Sequence, residues 1–154
     1  MPNHFHFLVV PNEKGCDNIF LGDKLTHMQH LSKTIGKTLS SYTKAINIQN
    51  ETTGNLFQKK TKAKCLNENQ ISPNKFSTRD YALTCFHYIH QNPLAANLIK
   101  ELNEWKYSSY MDFYGYRNGT LCNKNLAMQL LSLSPADFNE AIKFLDKEII
   151  KELF

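Results

Sequence analysis

The chain has 154 residues and a formal net charge of +4, with 42% hydrophobic and 21% charged residues. This is the composition of a folded globular protein rather than a disordered chain, and the length suffices for one core. We expect neither a membrane span nor a signal peptide, because no apolar run is long enough to cross a bilayer and no basic-then-apolar leader opens the chain.

The cysteines and the charge narrow the class of protein further. Cys16, Cys65, Cys85 and Cys122 are scattered and form no CxxC pair. This pattern favours reduced thiols in a cytoplasmic protein over a zinc cluster. The mild positive charge permits nucleic-acid binding without requiring it.

The first predicted element is a strand over residues 4–10, in the run His-Phe-His-Phe-Leu-Val-Val. Alternate residues of a strand project to the same face, so His4 and His6 are expected to point together. Two convergent imidazoles bind a divalent metal well. The alternative is a histidine pair that is exposed or hydrogen-bonded within the core.

A long helix is predicted next, with Asp23 as its N-terminal cap. We expect its apolar stripe to pack in the core rather than to bind a cofactor. A turn over residues 50–55 follows the helix. The stripe consists of Leu25, Met28, Leu31, Ile35, Leu39, Tyr42 and Ile46.

Residues 54–66 contain four lysines and no acidic residue. If this segment is an extended strand, a row of lysines lines one face, and such a row attracts phosphates through a largely sequence-independent term. The alternative is a charged edge strand that discourages aggregation. The row is Gln58, Lys60, Lys62 and Lys64, with Lys59 on the other face.

A second long helix is predicted to begin at Ser77, with Asp80 completing a capping box, and to end or kink at Asn92 before Pro93. Tyr88 and Asn92 lie one turn apart, close enough to serve one site. The alternative makes Tyr88 an ordinary amphipathic aromatic and Asn92 a C-terminal cap. The core face is expected to carry Ala82, Phe86 and Ile89, opposite Tyr81, Cys85, Tyr88 and Asn92.

The C-terminal third is rich in aromatic residues and ends in an amphipathic pattern. A short helix is predicted through Leu98 and Leu102. The rings between residues 105 and 116 can stack on unpaired bases, but we expect buried rings that pin this segment across the domain. Ser134 is predicted to cap a last helix, with the stripe Phe138, Ile142, Leu145, Ile149 and Leu153.

Four segments, taken in order, resemble the signature of the IS200-like Y1 (HUH) transposases, and most closely that of the REP-associated tyrosine transposases. The resemblance covers residues 2 to about 110, and four linked segments are more specific than any one of them. We number them the first to fourth motif: Pro2-Asn-His-Phe-His-Phe-Leu-Val9, Gly54-Asn-Leu-Phe-Gln58, Tyr88-Ile-His-Gln-Asn-Pro93 followed by Ala95 or Ala96, and Trp105-Lys-Tyr-Ser-Ser-Tyr110.

The resemblance implies a role for each matching residue. His4 and His6 match the metal-binding pair, Asn92 the third ligand, and Tyr88 the nucleophile. The implied cofactor is Mg²⁺ or Mn²⁺. The implied activity is cleavage and rejoining of single-stranded DNA near hairpins through a 5′-phosphotyrosine. The lysine row is expected to face the DNA, and His90 to be structural.

The resemblance also implies a fold and a domain organisation. We expect an α+β, ferredoxin-like domain over residues 1–118, a small antiparallel sheet with helices on one side, and a helical extension over residues 119–154. Family members carry a strand and a helix before the metal-binding strand, and here His4 stands near the beginning of the chain. The alternative function is therefore a catalytically inactive remnant that only binds DNA hairpins. Tyr88 acts either within its own subunit or across a homodimer.

Overall fold

A computed structural model describes residues 5–57, 63–66 and 78–134. The chain is α+β, with a two-stranded antiparallel sheet and helices in the described residues. It divides into two compact units, residues 2–62 and, together with Met1, residues 63–154. We call these the N-terminal and the C-terminal unit. The boundary predicted after residue 118 stays a prediction.

The N-terminal unit contains a hairpin where the sequence predicted the beginning of a helix. Strands β1 (Asn18–Leu21) and β2 (Lys24–Gln29) are antiparallel, and Leu21 pairs with Lys24 around a two-residue turn. Gly22 occupies that turn with φ of 61°, a conformation that costs glycine little. The prediction that Asp23 caps a helix is wrong, because Asp23 is the second residue of this turn.

Helix α2 (His30–Gln49) follows the hairpin directly. Its first N–H finds a partner outside the helix, since the His30 amide donates to the Asp17 carbonyl at 3.0 Å. No residue of α2 is buried, so the predicted packing of its stripe in the core is wrong. The members of the stripe on α2 are half-buried, except Tyr42, which is 52% exposed.

The described part of the first motif is not a strand. Residues 5–12 have no regular secondary structure, so the strand predicted over residues 4–10 is wrong for residues 5–10. Aromatic contacts hold this segment instead: the ring centroids of Phe5 and Phe7 lie 4.9 Å apart, and those of Phe5 and Phe57 lie 5.6 Å apart. A short helix, α1 (Glu13–Cys16), follows, capped by the Asn12 side chain.

Helix α3 (Thr78–Ala95) organises the C-terminal unit and runs through Pro93. The helix was predicted to end or kink at Asn92; it does not end there but three residues later, at Ala95. The Ala96 amide still donates to the Asn92 carbonyl at 3.0 Å, and the chain leaves the helix at Asn97, whose φ is 57°. A proline in the last turn removes only one hydrogen bond of the helix, the one that its own nitrogen would have donated.

Helix α3 is covered on more sides than its pattern predicted. Phe86 is buried as expected, but Ala82 and Ile89 are only half-buried. Tyr81 and Cys85, expected on the opposite side, are 1% and 6% exposed. Leu66 packs against those two residues, so contacts from outside the helix cover the face that the periodicity assigned to the site.

The rest of the unit consists of short elements. A 3₁₀ turn (Leu102–Glu104), rather than a helix through residues 98–102, leads to α4 (Tyr110–Phe113) and α5 (Lys124–Leu131). Helix α5 contacts α3, and Leu131 is 2% exposed. The predicted last helix and the capping residues Ser77 and Asp80 lie outside the described residues or side chains. All four cysteines are free thiols, as predicted.

Candidate functional site

Tyr88 and Asn92 occupy the last two turns of α3. The helix is continuous from residue 78 to residue 95, so these residues are four positions apart on the same side, one turn from each other. Tyr88 is half-buried, whereas Asn92 is only 7% exposed. The third motif therefore presents a phenol and an amide side by side on one rigid element.

His90 lies between them in sequence, on another side of the helix, and it is 2% exposed. Its Nε2 atom is 2.7 Å from the Ser109 hydroxyl, and its ring meets Phe86 edge to face with centroids 4.4 Å apart. Phe113 and Tyr110 complete the enclosure, at centroid distances of 5.8 and 6.0 Å. The prediction that His90 is structural and points to the core is confirmed in its geometry.

The electrostatics of this side of α3 favour neutral imidazoles. Burial, with a smaller contribution from His87, lowers the pKa of His90 to about 3. Burial also lowers the pKa of His87. The buried Nδ1 atoms of both rings lack a hydrogen-bond partner within the described residues. The pair is therefore uncharged at physiological pH, because a second proton on either ring is disfavoured.

The predicted metal ligands are divided between the two units. His6 belongs to the N-terminal unit, where it is exposed on the segment without regular structure, and Asn92 belongs to the C-terminal unit. His4 lies outside the described residues. The meeting of the two imidazoles with Tyr88 and Asn92 therefore stays a prediction.

The donor set itself suits the predicted ion. Two imidazole nitrogens and one amide oxygen are neutral donors that leave positions for phosphate oxygens and water on a divalent ion. Among the residues that the structure describes, no three His, Cys, Asp or Glu side chains are grouped as metal ligands. That finding does not cover the predicted set, which includes His4 and an amide.

Of the lysine row, Lys64 is the member that the structure describes. Gln58, Lys59, Lys60 and Lys62 lie outside the described residues, and residues 63–66 have no strand, so the lysine strand is wrong at this end. Lys64 is exposed, and its Nζ atom lies 4.7 Å from the centroid of the Tyr81 ring. This cation–π contact places one positive charge of the row beside α3.

The sequence did not reveal a charged cluster that shapes the fourth motif. Asp112 is 2% exposed, and its carboxylate accepts hydrogen bonds from Arg117 and, at 2.8 Å, from the Gly119 amide. Arg117 also donates to the carbonyls of Lys106 and Ser108 at 2.7 and 3.1 Å. The Arg117 hydrogen bond lowers the pKa of Asp112. The one available signal was an acid and an arginine five residues apart among aromatic residues.

Comparison of the chain with protein-family models, with curated proteins and with solved structures found no match. The family resemblance therefore depends on the four motifs and on how their residues are arranged. No helix in the described part of the chain is both long and apolar enough to cross a membrane.

Proposed function

We propose that this protein is a metal-assisted tyrosine transposase or endonuclease that cleaves and rejoins single-stranded DNA near hairpins. Tyr88 is the nucleophile, and His4, His6 and Asn92 are the metal ligands. The partner is DNA that folds into a hairpin with unpaired flanks. We also propose that the domain is ferredoxin-like and that the protein is cytoplasmic and associated with the nucleoid.

One observation carries the proposal: the four motifs contact one another in pairs. In the N-terminal unit, Phe5 of the first motif contacts Phe57 of the second, with ring centroids 5.6 Å apart. In the C-terminal unit, His90 of the third motif is hydrogen-bonded to Ser109 of the fourth at 2.7 Å. These two contacts bring together segments that the resemblance links, and this supports the proposal.

The chemistry needs a nucleophile, an activated phosphorus and a leaving group. The Tyr88 oxygen forms a bond to phosphorus, and the bond from phosphorus to the 3′ oxygen breaks. The proton lost by the phenol is taken up by the 3′ oxygen, which becomes a free 3′-hydroxyl. A bound Mg²⁺ or Mn²⁺ would polarise the phosphate and offset charge in the transition state. The phosphotyrosine conserves the energy of the phosphodiester, so the reverse reaction rejoins a strand without ATP.

Lysines of the row contribute binding rather than chemistry. Each Lys–phosphate contact releases counterions, so affinity for DNA is expected to fall as salt rises. Lys64 is the member whose position the structure describes: it is exposed, and its ammonium lies over the ring of Tyr81, at the N-terminal end of the helix that carries Tyr88. Its position fits a role in holding the strand that Tyr88 attacks.

The second candidate, a protein that binds hairpins without cleaving them, has one observation in its favour. Residues 5–10 do not form the strand that was expected to hold His4 and His6 rigidly. Metal binding weakens when a ligand such as His6 is not carried by a strand, whereas phosphate contacts by lysines do not depend on that strand.

The decisive experiment uses a DNA hairpin labelled at the 3′ end of its unpaired flank, incubated with the protein and Mn²⁺. We expect a labelled covalent adduct on a denaturing gel, because the 5′-phosphate of the labelled fragment stays on tyrosine. Tyr88→Phe should abolish the adduct and retain binding. Tyr42→Phe, a tyrosine in the other unit, is the control and should leave it unchanged.

Two further changes separate the metal site from the nucleophile. Excess EDTA should remove the adduct, and His6→Ala should reduce it by at least about tenfold, the scale on which metal sites respond to lost partners. His27→Ala is the matched control, since His27 is an exposed histidine of the same unit. Binding of the hairpin without adduct under every condition would refute the proposal and support the binding-only candidate.

A further inference from the structure

The aromatic residues between positions 105 and 116 separate into two groups in the structure. Phe113 faces inward, with its ring centroid 4.9 Å from that of Phe86 on α3. Tyr107 and Tyr116 face solvent, at 83% and 58% exposure. The predicted role of buried rings that pin the segment thus accounts for Phe113 and leaves the exposed tyrosines unexplained.

Three of these tyrosines have near-parallel rings, and one of the three is exposed. The ring centroids of Tyr110 and Tyr114 are 4.1 Å apart with planes inclined by 20°, and those of Tyr110 and Tyr116 are 6.1 Å apart with an inclination of 23°. Tyr110 and Tyr114 are half-buried, and Tyr116 is the exposed member. We call Tyr110, Tyr114 and Tyr116 the tyrosine stack.

The tyrosine stack is fixed by the charged cluster beneath it. Arg117, next to Tyr116 in sequence, is bound to the Asp112 carboxylate and to the backbone carbonyls of Lys106 and Ser108. These contacts join the chain before the stack, at Lys106 and Ser108, to the chain after it, at Arg117, and so add to the support given by the short helix α4. Rings that are held before a ligand arrives lose little conformational entropy on binding, which favours affinity.

The charges around the tyrosine stack suit a phosphate backbone. Between residues 105 and 116 the exposed charged side chain is Lys106, because Asp112 is enclosed and paired with Arg117. The carboxylate of Glu104 is turned onto the amides of Lys100 and Glu101, at 2.7 and 3.0 Å. Lys106 and Arg117 stand on either side of the stack in sequence, and the Lys106 carbonyl accepts a hydrogen bond from Arg117. Within residues 105–116 the exposed charge is therefore positive.

We propose that the tyrosine stack is a binding site for unpaired nucleobases of single-stranded DNA, with an unpaired base stacking on Tyr116. The inference rests on the proposed function and adds to it the surface that holds the unpaired flank of the hairpin. Near-parallel rings with one exposed member offer a flat apolar face to any base, and the exposed Lys106 supplies a positive charge in the same segment.

The test measures binding of a fluorescein-labelled single-stranded oligothymidine by anisotropy, with a blunt duplex of equal length for comparison. Tyr116→Leu should weaken binding of the single strand by about 5-fold to 100-fold, the change in affinity expected when one base loses its stacking partner. Binding of the duplex should be unchanged. Tyr116→Phe keeps the ring and should bind within about twofold of the wild type. The fluorescence of Trp105 verifies that each variant is folded.

The outcomes distinguish this inference from the proposed function. Equal affinity of Tyr116→Leu and wild type, with the Tyr88 adduct still formed, would overturn the stacking site alone and favour a protein partner for the rings. Loss of affinity in Tyr116→Leu, restored in Tyr116→Phe, would establish the site even if no adduct forms. Absence of any single-strand binding by the wild type would overturn both.

Discussion

The burial of His90 predicts how the stability of the C-terminal unit depends on pH. In the unfolded chain this imidazole has its ordinary pKa of 6.5, and in the folded protein burial lowers the pKa to about 3. A base that binds protons more weakly when folded contributes its full stability above pH 6.5. That stability is lost as the pH falls below 6.5, because protons then favour the unfolded chain.

The size of the effect follows from the width of that window. Well below the unfolded pKa each pH unit costs about 1.4 kcal/mol for one such group, so lowering the pH from 7.5 to 4.5 should lower the free energy of unfolding by about 2.7 kcal/mol. His87, whose pKa burial also lowers, acts in the same direction. Asp112 has a depressed pKa as well, but as a carboxylate it loses its contribution only below its ordinary pKa of 3.8.

The assay is urea unfolding followed by tryptophan fluorescence between pH 7 and pH 4.5. Trp105 is the single tryptophan of the chain and belongs to the C-terminal unit, so the signal reports this unit. His90→Gln, which keeps a polar group near Ser109 without a titrating ring, should flatten the pH dependence, and His87→Gln should flatten it less. Parallel loss of stability in wild type and His90→Gln would refute the assignment to His90.

Further predictions concern the charged cluster, the glycines and the end of α2. Asp112→Ala should lower the free energy of unfolding by about 2 kcal/mol, measured by urea unfolding, because the Arg117 guanidinium and the Gly119 amide lose their acceptor. Gly119→Ala should also destabilise the unit in that assay, since a methyl group would approach the Asp112 carboxylate to 2.5 Å, whereas Gly36→Ala meets nothing within 4 Å. Glu51→Gly should stabilise the N-terminal unit by about 1 kcal/mol in thermal unfolding, with no gain from Glu51→Ala, because Glu51 has φ of 53°.

The sequence predicted helix α3 and the spacing of its site residues because those depend on local rules. Periodicity and the four-residue spacing place Tyr88 and Asn92 on one side of a helix whatever surrounds it. Pro93 led to a wrong prediction of the helix end, because a proline disfavours helical geometry at the residue before it but does not forbid it. Here two more backbone hydrogen bonds, from the amides of Ala96 and Leu98 to the carbonyls of Asn92 and Pro93, close the helix after the proline.

The hairpin shows why the N-terminal unit was harder to predict. Leu25 and Met28 are three residues apart, which fits a helix, but they belong to a strand that pairs with residues 18–21. The signal for that pairing was Gly22-Asp23, a two-residue turn between apolar runs, and it competed with the reading of Asp23 as a cap. Likewise, alternation over residues 4–10 is compatible with a strand, but a strand also needs a partner, and alternation does not supply one.

The contacts between motifs decide which experiment carries most weight. Phe5 with Phe57, and His90 with Ser109, are packing and hydrogen-bonding contacts that stabilise the fold. The same contacts would hold together a protein that had lost its chemistry, so a stable fold and DNA binding are expected from both proposed functions. Tyr88 and His6 are not part of these packing contacts: Tyr88 is half-buried and His6 is exposed. The proposed catalysis requires both side chains to act on the same phosphate. Formation of the phosphotyrosine therefore tests the proposed catalysis, whereas affinity for DNA and stability of the fold do not distinguish the two proposed functions.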